Sequence, residues 1–233
     1  YNSRQNNSPD ALFPNNWYST EKGGKMILYP MKNLNRRKER DSLIIKDLST
    51  NYPLCFDLTD YEKQGKFLEG TGSLVLDRIN KIVYCSYSER TSKELVKIWG
   101  TLNGYKVIGF QSFDKTGEII YHTNVMMCVA DKFVVICLDC IDSELERSKV
   151  IETIKNSGKE IIEISEEQMQ QFAGNMLQVQ NKDGEKFLVM SQTAYQSLNQ
   201  EQISNIEKYC EIIYSDLNTI EVNGGGSARC MLA

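Results

Sequence analysis

The 233-residue chain has a single histidine, His122, and its seven cysteines supply one C-x-x-C pair, Cys137 and Cys140, with no second pair to match it. A closed zinc site therefore lacks ligands, and the pair reads as two buried structural thiols. Long apolar runs are missing as well: the longest uncharged one, Phe133–Leu138, is far short of the ~20 residues of a bilayer span. Tyr1–Asp10 has neither the basic nor the apolar region of a signal peptide. With an odd number of scattered cysteines, this leads to the expectation of a cytoplasmic protein with free thiols and no membrane partner. There is no basic excess either, since 27 Lys and Arg stand against 31 Asp and Glu for a formal charge of -4. Nucleic acid is thus not an expected partner, and a small molecule is. The residues present, 41% hydrophobic and 25% charged, are those of a globular chain long enough for a sizeable core. One compact unit is the simplest expectation, and oligomeric state is left open.

A repeat emerges when short strand-like runs are aligned on the small or amide residue that opens each. The runs begin at Asn16, Gly72, Asn124, Asn175 and Ser227, at intervals of 56, 52, 51 and 52 residues. A polar turn and a second apolar run follow the first, as at Lys81–Cys85, Phe133–Leu138 and Phe187–Met190, which predicts a hairpin. Helices are then predicted at Ser92–Leu102, Ser143–Asn156 and about Ser191–Cys210, and short runs at Lys106–Phe110 and Glu160–Ile164 lead into the next copy. An α/β chain of five such units is expected to close into a ring, one propeller-like domain over residues 1–233. Five complete units need about 260 residues, so the first unit is expected to be incomplete and the chain to be a piece of a longer protein, with Tyr1–Asp10 a polar, turn-rich start.

If the five openings converge on one axis, polar residues beside them share a pocket. Glu69 lies three residues before Gly72, His122 two before Asn124, and Cys230 three after Ser227. A thiol, an imidazole and a carboxylate in nearly equivalent places can act as nucleophile, acid/base and orienting acid. Taken singly, each has a plainer reading as a gap-filling cysteine, a hydrogen-bonded histidine or a turn glutamate. Their common register favours chemistry. Gly224–Gly226 allows close backbone approach or positive φ and lacks the Lys-Ser/Thr of a phosphate loop.

The segments Leu-Glu-Gly-Thr-Gly-Ser-Leu-Val (68–75), Tyr-His-Thr-Asn-Val (121–125) and Gly-Gly-Gly-Ser-Ala-Arg-Cys-Met-Leu (224–232) resemble the guanidine-modifying, or amidinotransferase, superfamily. Its members include arginine deiminase, dimethylarginine dimethylaminohydrolase and the amidinotransferases. Phe-Pro-Asn-Asn-Trp-Tyr-Ser-Thr (13–20), Leu-Tyr-Pro-Met (28–31), Asn-Arg-Arg-Lys-Glu-Arg (35–40) and Phe-Ala-Gly-Asn-Met-Leu (172–177) resemble its citrulline-utilisation hydrolase branch. The resemblance implies the five-bladed α/β propeller, or pentein fold, and no metal or organic cofactor. It also implies Cys230 as nucleophile, His122 as general acid/base, and Glu69 as the acid opening a Glu-Gly-Gly-Asp-like segment. Arg37 and Arg90 match arginines that hold a substrate α-carboxylate in the dimethylarginine hydrolases.

Three departures bear on the substrate. Asn16, Gly72 and Asn124 stand where arginine deiminases have aspartates. A buried guanidinium without carboxylates is costly, whereas a neutral ureido group is matched by the amides of Asn16 and Asn124. The expected function is hydrolysis at the ureido carbon of citrulline or a close relative through a covalent thiol intermediate. The alternatives are an arginine or methylarginine guanidine hydrolase, an amidinotransferase, and a non-catalytic binding protein on the same propeller.

Overall fold

The computed structural model describes residues 8–232, so most of the polar start at Tyr1–Asp10 lies outside the described residues. Twelve short strands form in the described residues. They are β1 (Tyr18–Glu21), β2 (Lys25–Leu28), β3 (Leu54–Asp57), β4 (Val75–Asp77), β5 (Ile82–Ser86), β6 (Lys106–Phe110), β7 (Met127–Val129), β8 (Phe133–Ile136), β9 (Glu160–Glu163), β10 (Leu177–Gln180), β11 (Lys186–Ser191) and β12 (Glu211–Ser215). The helices are α1 (Leu34–Arg37), α2 (Ser42–Asn51), α3 (Gly70–Ser73), α4 (Lys93–Asn103), α5 (Glu144–Asn156), α6 (Glu166–Gln170), α7 (Gln192–Ser197), α8 (Gln200–Glu207), α9 (Asn218–Gly224) and α10 (Ala228–Met231). None of the described helices is long and apolar enough to cross a membrane.

The strands make four mixed three-stranded sheets, β1-β2-β3, β4-β5-β6, β7-β8-β9 and β10-β11-β12. In each, the first two strands are an antiparallel hairpin and the third returns parallel to the second after a helical crossover. That is the unit expected from the repeat, and the reason is patterning. The middle strands β5 and β8 are buried at every residue, as a strand flanked on both sides and covered by a helix must be. Helix α4 presents Leu95, Val96 and Trp99 to the core and stops at Gly104, whose φ of +70° suits a residue without Cβ.

Three expectations are corrected. The first unit is not short of strands, since its sheet has the same three as the others. The fifth opening, Ser227, leads into the helical turn α10, and no fifth sheet forms among the described residues. The long helix over Ser191–Cys210 is two helices. Asn199 accepts from the Gln202 amide (2.9 Å) while the Gln202 side chain accepts from Asn199 N–H (2.9 Å), a capping box that starts α8 afresh.

The openings are not strand residues but single turns. A backbone bond three residues long closes a turn at or beside each: Trp17 N–H to Pro14 O, Gly72 to Glu69, Val125 to His122, Asn175 to Phe172 and Cys230 to Ser227, at 2.8–3.3 Å. The sheets lock to one another outside these turns. Lys159 Nζ, 2% exposed, donates to the carbonyls of Ala130 and Asp131 (both 2.8 Å) and lies 3.5 Å from Asp77 Oδ2. A buried cation held by two carbonyls and a facing carboxylate ties the second sheet to the third.

Candidate active site

Two adjoining cavities meet at these turns. One, about 240 Å³, is lined by Asn16, Arg36, Arg90, His122, Cys230 and, at one side, Asp10. The other, about 120 Å³, is lined by His122, Asn124, Phe172, Asn175 and Cys230. His122 and Cys230, 108 residues apart in sequence, thus share both walls. A further cavity of about 240 Å³ beside Arg78 and Arg229 touches this region only through Asn124.

Glu69 is fully buried at the head of its turn, where its Oε2 lies 2.8 Å from His122 Nε2 and its Oε1 accepts from the Lys32 amide at 3.0 Å. Burial raises the Glu69 carboxyl, but His122, the Lys32 N–H and Arg90 together outweigh it and hold the group below its ordinary value. Burial pushes His122 down and Glu69 opposes it, with the net direction down. The pair is therefore a carboxylate and a neutral imidazole. An ionised carboxylate only accepts, so His122 carries its proton on Nε2, and Nδ1 is the nitrogen left to move a proton. Arg90 is 3.7 Å from Glu69 Oε2, and its guanidinium lies 4.7 Å from the centre of the Tyr121 ring. Its Nε is buried with no hydrogen-bond partner.

Cys230 sits at the end of α10, half-buried, with Asn175 Nδ2 at 3.3 Å and Asn124 Nδ2 at 3.6 Å from its sulfur. The glycines before it serve both anticipated purposes: Gly225 takes φ +65°, and a Cβ on Gly226 would come within 2.8 Å of the Phe13 ring. Of the other cysteines Cys55 is exposed, and Cys85, Cys128, Cys137, Cys140 and Cys210 are buried. Burial pushes Cys85 and Cys128 up to about 12, which makes both poor nucleophiles.

The amide substitutions also fall at the site. Asn16 Oδ1 accepts from Arg36 Nη1 at 2.6 Å, and Asn124 Oδ1 is buried with no partner. Gly72 is required by packing, because a Cβ there would meet Asn16 Nδ2 and lie 2.9 Å from His122 Nδ1. An aspartate could not be restored at that position without moving both.

Arg37 is a correction. Its guanidinium turns away to the carbonyls of Met31 (2.8 Å) and Lys32 (3.2 Å) and to Glu62 (3.3 Å), and lines neither cavity. Its neighbour Arg36 points inward instead, held by Glu39 Oε1 (2.9 Å) and Oε2 (3.0 Å) and by the Phe13 carbonyl (2.8 Å). Successive residues of a helical turn point about 100° apart, so only one of two adjacent arginines can face the cavity. Asn175 is the other residue the sequence reasoning passed over as a site residue, although its place as a repeat opening was the signal that could have found it.

A family model described as eukaryotic N,N dimethylarginine dimethylhydrolase matches residues 1–233. The chain belongs to this dimethylarginine hydrolase family. With it the chain falls in the guanidine-modifying, pentein superfamily, and the family is one of hydrolases that act on non-peptide C–N bonds. No curated protein matches it in sequence. Among solved structures, the substrate-bound N-terminal domain of ArgZ, an arginine dihydrolase from the ornithine-ammonia cycle in Cyanobacteria, superposes with a TM-score of 0.74 at 18% identity, over 96% of this chain and 75% of that one. Unliganded AgrE gives 0.74 at 20% identity, over 96% of this chain and 30% of that one. A dimethylarginine dimethylaminohydrolase adduct with 4-chloro-2-hydroxymethylpyridine gives 0.66 at 17%, over 96% and 78%. At these identities the likeness is one of fold.

Proposed function

We propose that this member of the dimethylarginine hydrolase family is a cysteine-dependent hydrolase of the ureido carbon of citrulline or a close relative. The observation that carries the reading is the set of groups at the reacting sulfur, two amides and no carboxylate. Nearby, the Asn16 oxygen is already taken by the internal guanidinium of Arg36, itself paired with Glu39, so it is not open to a cationic substrate end. A ureido group is neutral and can donate to the open Oδ1 of Asn124.

In the mechanism, Cys230 passes its thiol proton to His122 Nδ1, and the sulfur forms an S–C bond to the ureido carbon as the carbonyl electron pair moves to oxygen. Collapse of the tetrahedral centre breaks the bond to the side-chain nitrogen, which leaves as ornithine's amine with a proton from His122. Water then attacks the S-carbamoyl carbon and loses a proton to His122 Nδ1, and carbamate departs as the thiolate is restored. Glu69 keeps His122 in the tautomer that makes this possible, and Arg90 holds the substrate carboxylate, where its unpartnered Nε is a donor in waiting. We extend the proposal to architecture: the four sheets and the segment through α10 are successive blades of one five-bladed propeller domain over residues 1–233, in a cytoplasmic protein.

A second reading, guanidine hydrolysis of arginine or a methylarginine, is favoured by Asp10 on the wall of the larger cavity and by what the family's name describes. Rates on citrulline, arginine and dimethylarginine, assayed side by side on the full-length protein, decide between them. Citrulline is expected to lead arginine by on the order of a hundredfold in kcat/KM, with Asn124→Asp narrowing the gap. Equal or faster turnover of arginine would move the assignment to the guanidine hydrolases.

A further inference from the structure

Two amides touch the Cys230 sulfur, but only one is held in a fixed orientation. Asn175, 3% exposed, accepts at Oδ1 from the Arg229 N–H (3.1 Å) and donates from Nδ2 to the Asn124 carbonyl (3.0 Å). Flipping this amide would set N–H against N–H and oxygen against oxygen, so backbone groups alone fix which end is the donor. The remaining N–H of Nδ2 then has one acceptor, Cys230 Sγ at 3.3 Å, while the thiol S–H can donate to Oδ1 only over a longer 3.6 Å. Asn124 differs. Its Nδ2 is 3.6 Å from the sulfur and its Oδ1 has no partner, so that one long contact alone orients it.

We infer that Asn175 is the positioning residue of the nucleophile: its fixed N–H donor aims the Cys230 sulfur into the cavity and steadies the negative charge that sulfur carries during attack, and leaves Asn124 free to turn its oxygen toward a substrate N–H. A hydrogen bond to an anion is stronger than one to a neutral acceptor, so a donor locked onto sulfur favours the thiolate over the thiol. The fourth repeat thereby has a role at the site, although it supplies none of the Cys, His and Glu set. This inference rests on Cys230 being the nucleophile, and the test keeps the two apart.

The experiment uses the full-length protein with Asn175→Ala, the isosteric Asn175→Asp and Cys230→Ala. Alkylation of Cys230 by iodoacetamide at pH 7 is followed by mass spectrometry of its peptide, beside kcat and KM on citrulline and arginine. With Asn175→Ala, alkylation and kcat should each fall about tenfold with KM within threefold. Asn175→Asp, which sets a carboxylate against the sulfur, should fall further. A merely structural role gives the opposite sign, because a loosened site exposes the thiol and speeds alkylation. Unchanged or faster alkylation in both variants overturns the inference even if Cys230→Ala is inactive. Retained turnover in Cys230→Ala overturns the nucleophile itself, and this inference with it.

Discussion

Cys140 and Cys230 are both free thiols, and the one in the recognisable motif is the inert one. Cys140 lies against sulfur, with Cys137 Sγ at 3.1 Å and Met169 Sδ at 3.5 Å, and its hydrogen bond to Cys137 and then burial push it up. Cys230 lies against amide nitrogens at the meeting of two cavities. The carboxylates repeat the contrast. Asp77 and Glu69 are each about 1% exposed and each has a cationic or imidazole partner. Asp77 faces Lys159, whose protons go to backbone carbonyls, whereas Glu69 faces a histidine with a nitrogen to spare and an arginine whose Nε is unanswered. A buried polar group with every bond made belongs to the scaffold. Arg90 Nε and Asn124 Oδ1, left with a bond to offer and belonging to residues that line the cavities, are where a ligand can be met.

The largest effect that could break this contrast is at the thiols. Cys230→Ala should lower turnover by about a thousandfold or more, while Cys140→Ala keeps it within about threefold and costs roughly 1 kcal/mol in urea unfolding. The reverse order would invert the assignment of scaffold and site. Next come the carboxylates. Glu69→Gln should cut kcat roughly a hundredfold, and Asp77→Asn should cost about 3 kcal/mol of stability with kcat nearly intact, since it removes the carboxylate facing the buried Lys159. Both quantities are read from steady-state rates and denaturant melts on the same samples. The arginines follow: Arg90→Ala should raise KM about tenfold, and Arg37→Ala, which removes only contacts outside the cavity, should leave KM within about twofold.

The smallest effect is in pH. In the proposed mechanism His122 takes a proton only when neutral, and burial holds it below its ordinary 6.5, so kcat/KM should stay level through that pH and decline only beneath it. Stability has the same sign. The unfolded chain takes up a proton near 6.5 that folded His122 refuses, so its contribution is whole above that pH and is lost as pH falls toward the folded value. Glu69, also lowered, adds a loss further into acid. Melting temperatures from pH 7.5 to 5 should show a slope that His122→Gln reduces, and an unchanged slope would reject the buried neutral imidazole.

Much of the frame was legible in the chain because it is local. Ser143 caps a helix, Gly104 ends one, and the hairpins at β4–β5, β7–β8 and β10–β11 follow from apolar runs separated by a few polar residues. The openings were found in the correct places but read as strands, because Gly72, Asn124 and Ser227 stand next to β-forming residues and the turn bonds at Glu69, His122 and Ser227 are invisible to periodicity. The break at Asn199 was hidden by an apolar pattern that continues across it.

The sequence by itself determined which residue types stand at the five turns: a thiol, an imidazole, a carboxylate and three asparagines at a period near 52. Only the tertiary structure decided what each one touches. Arg36 faces the cavity and Arg37 does not because one short helix turn points a single side chain toward the Phe13 carbonyl and Asn16. Asn175 reaches Cys230 across 55 residues and Asn124 across 106, contacts fixed by how the sheets pack around the turns. Local propensity specifies a turn within a few residues. Which turn it meets is set by burial summed over the whole chain, and no window of sequence contains that sum.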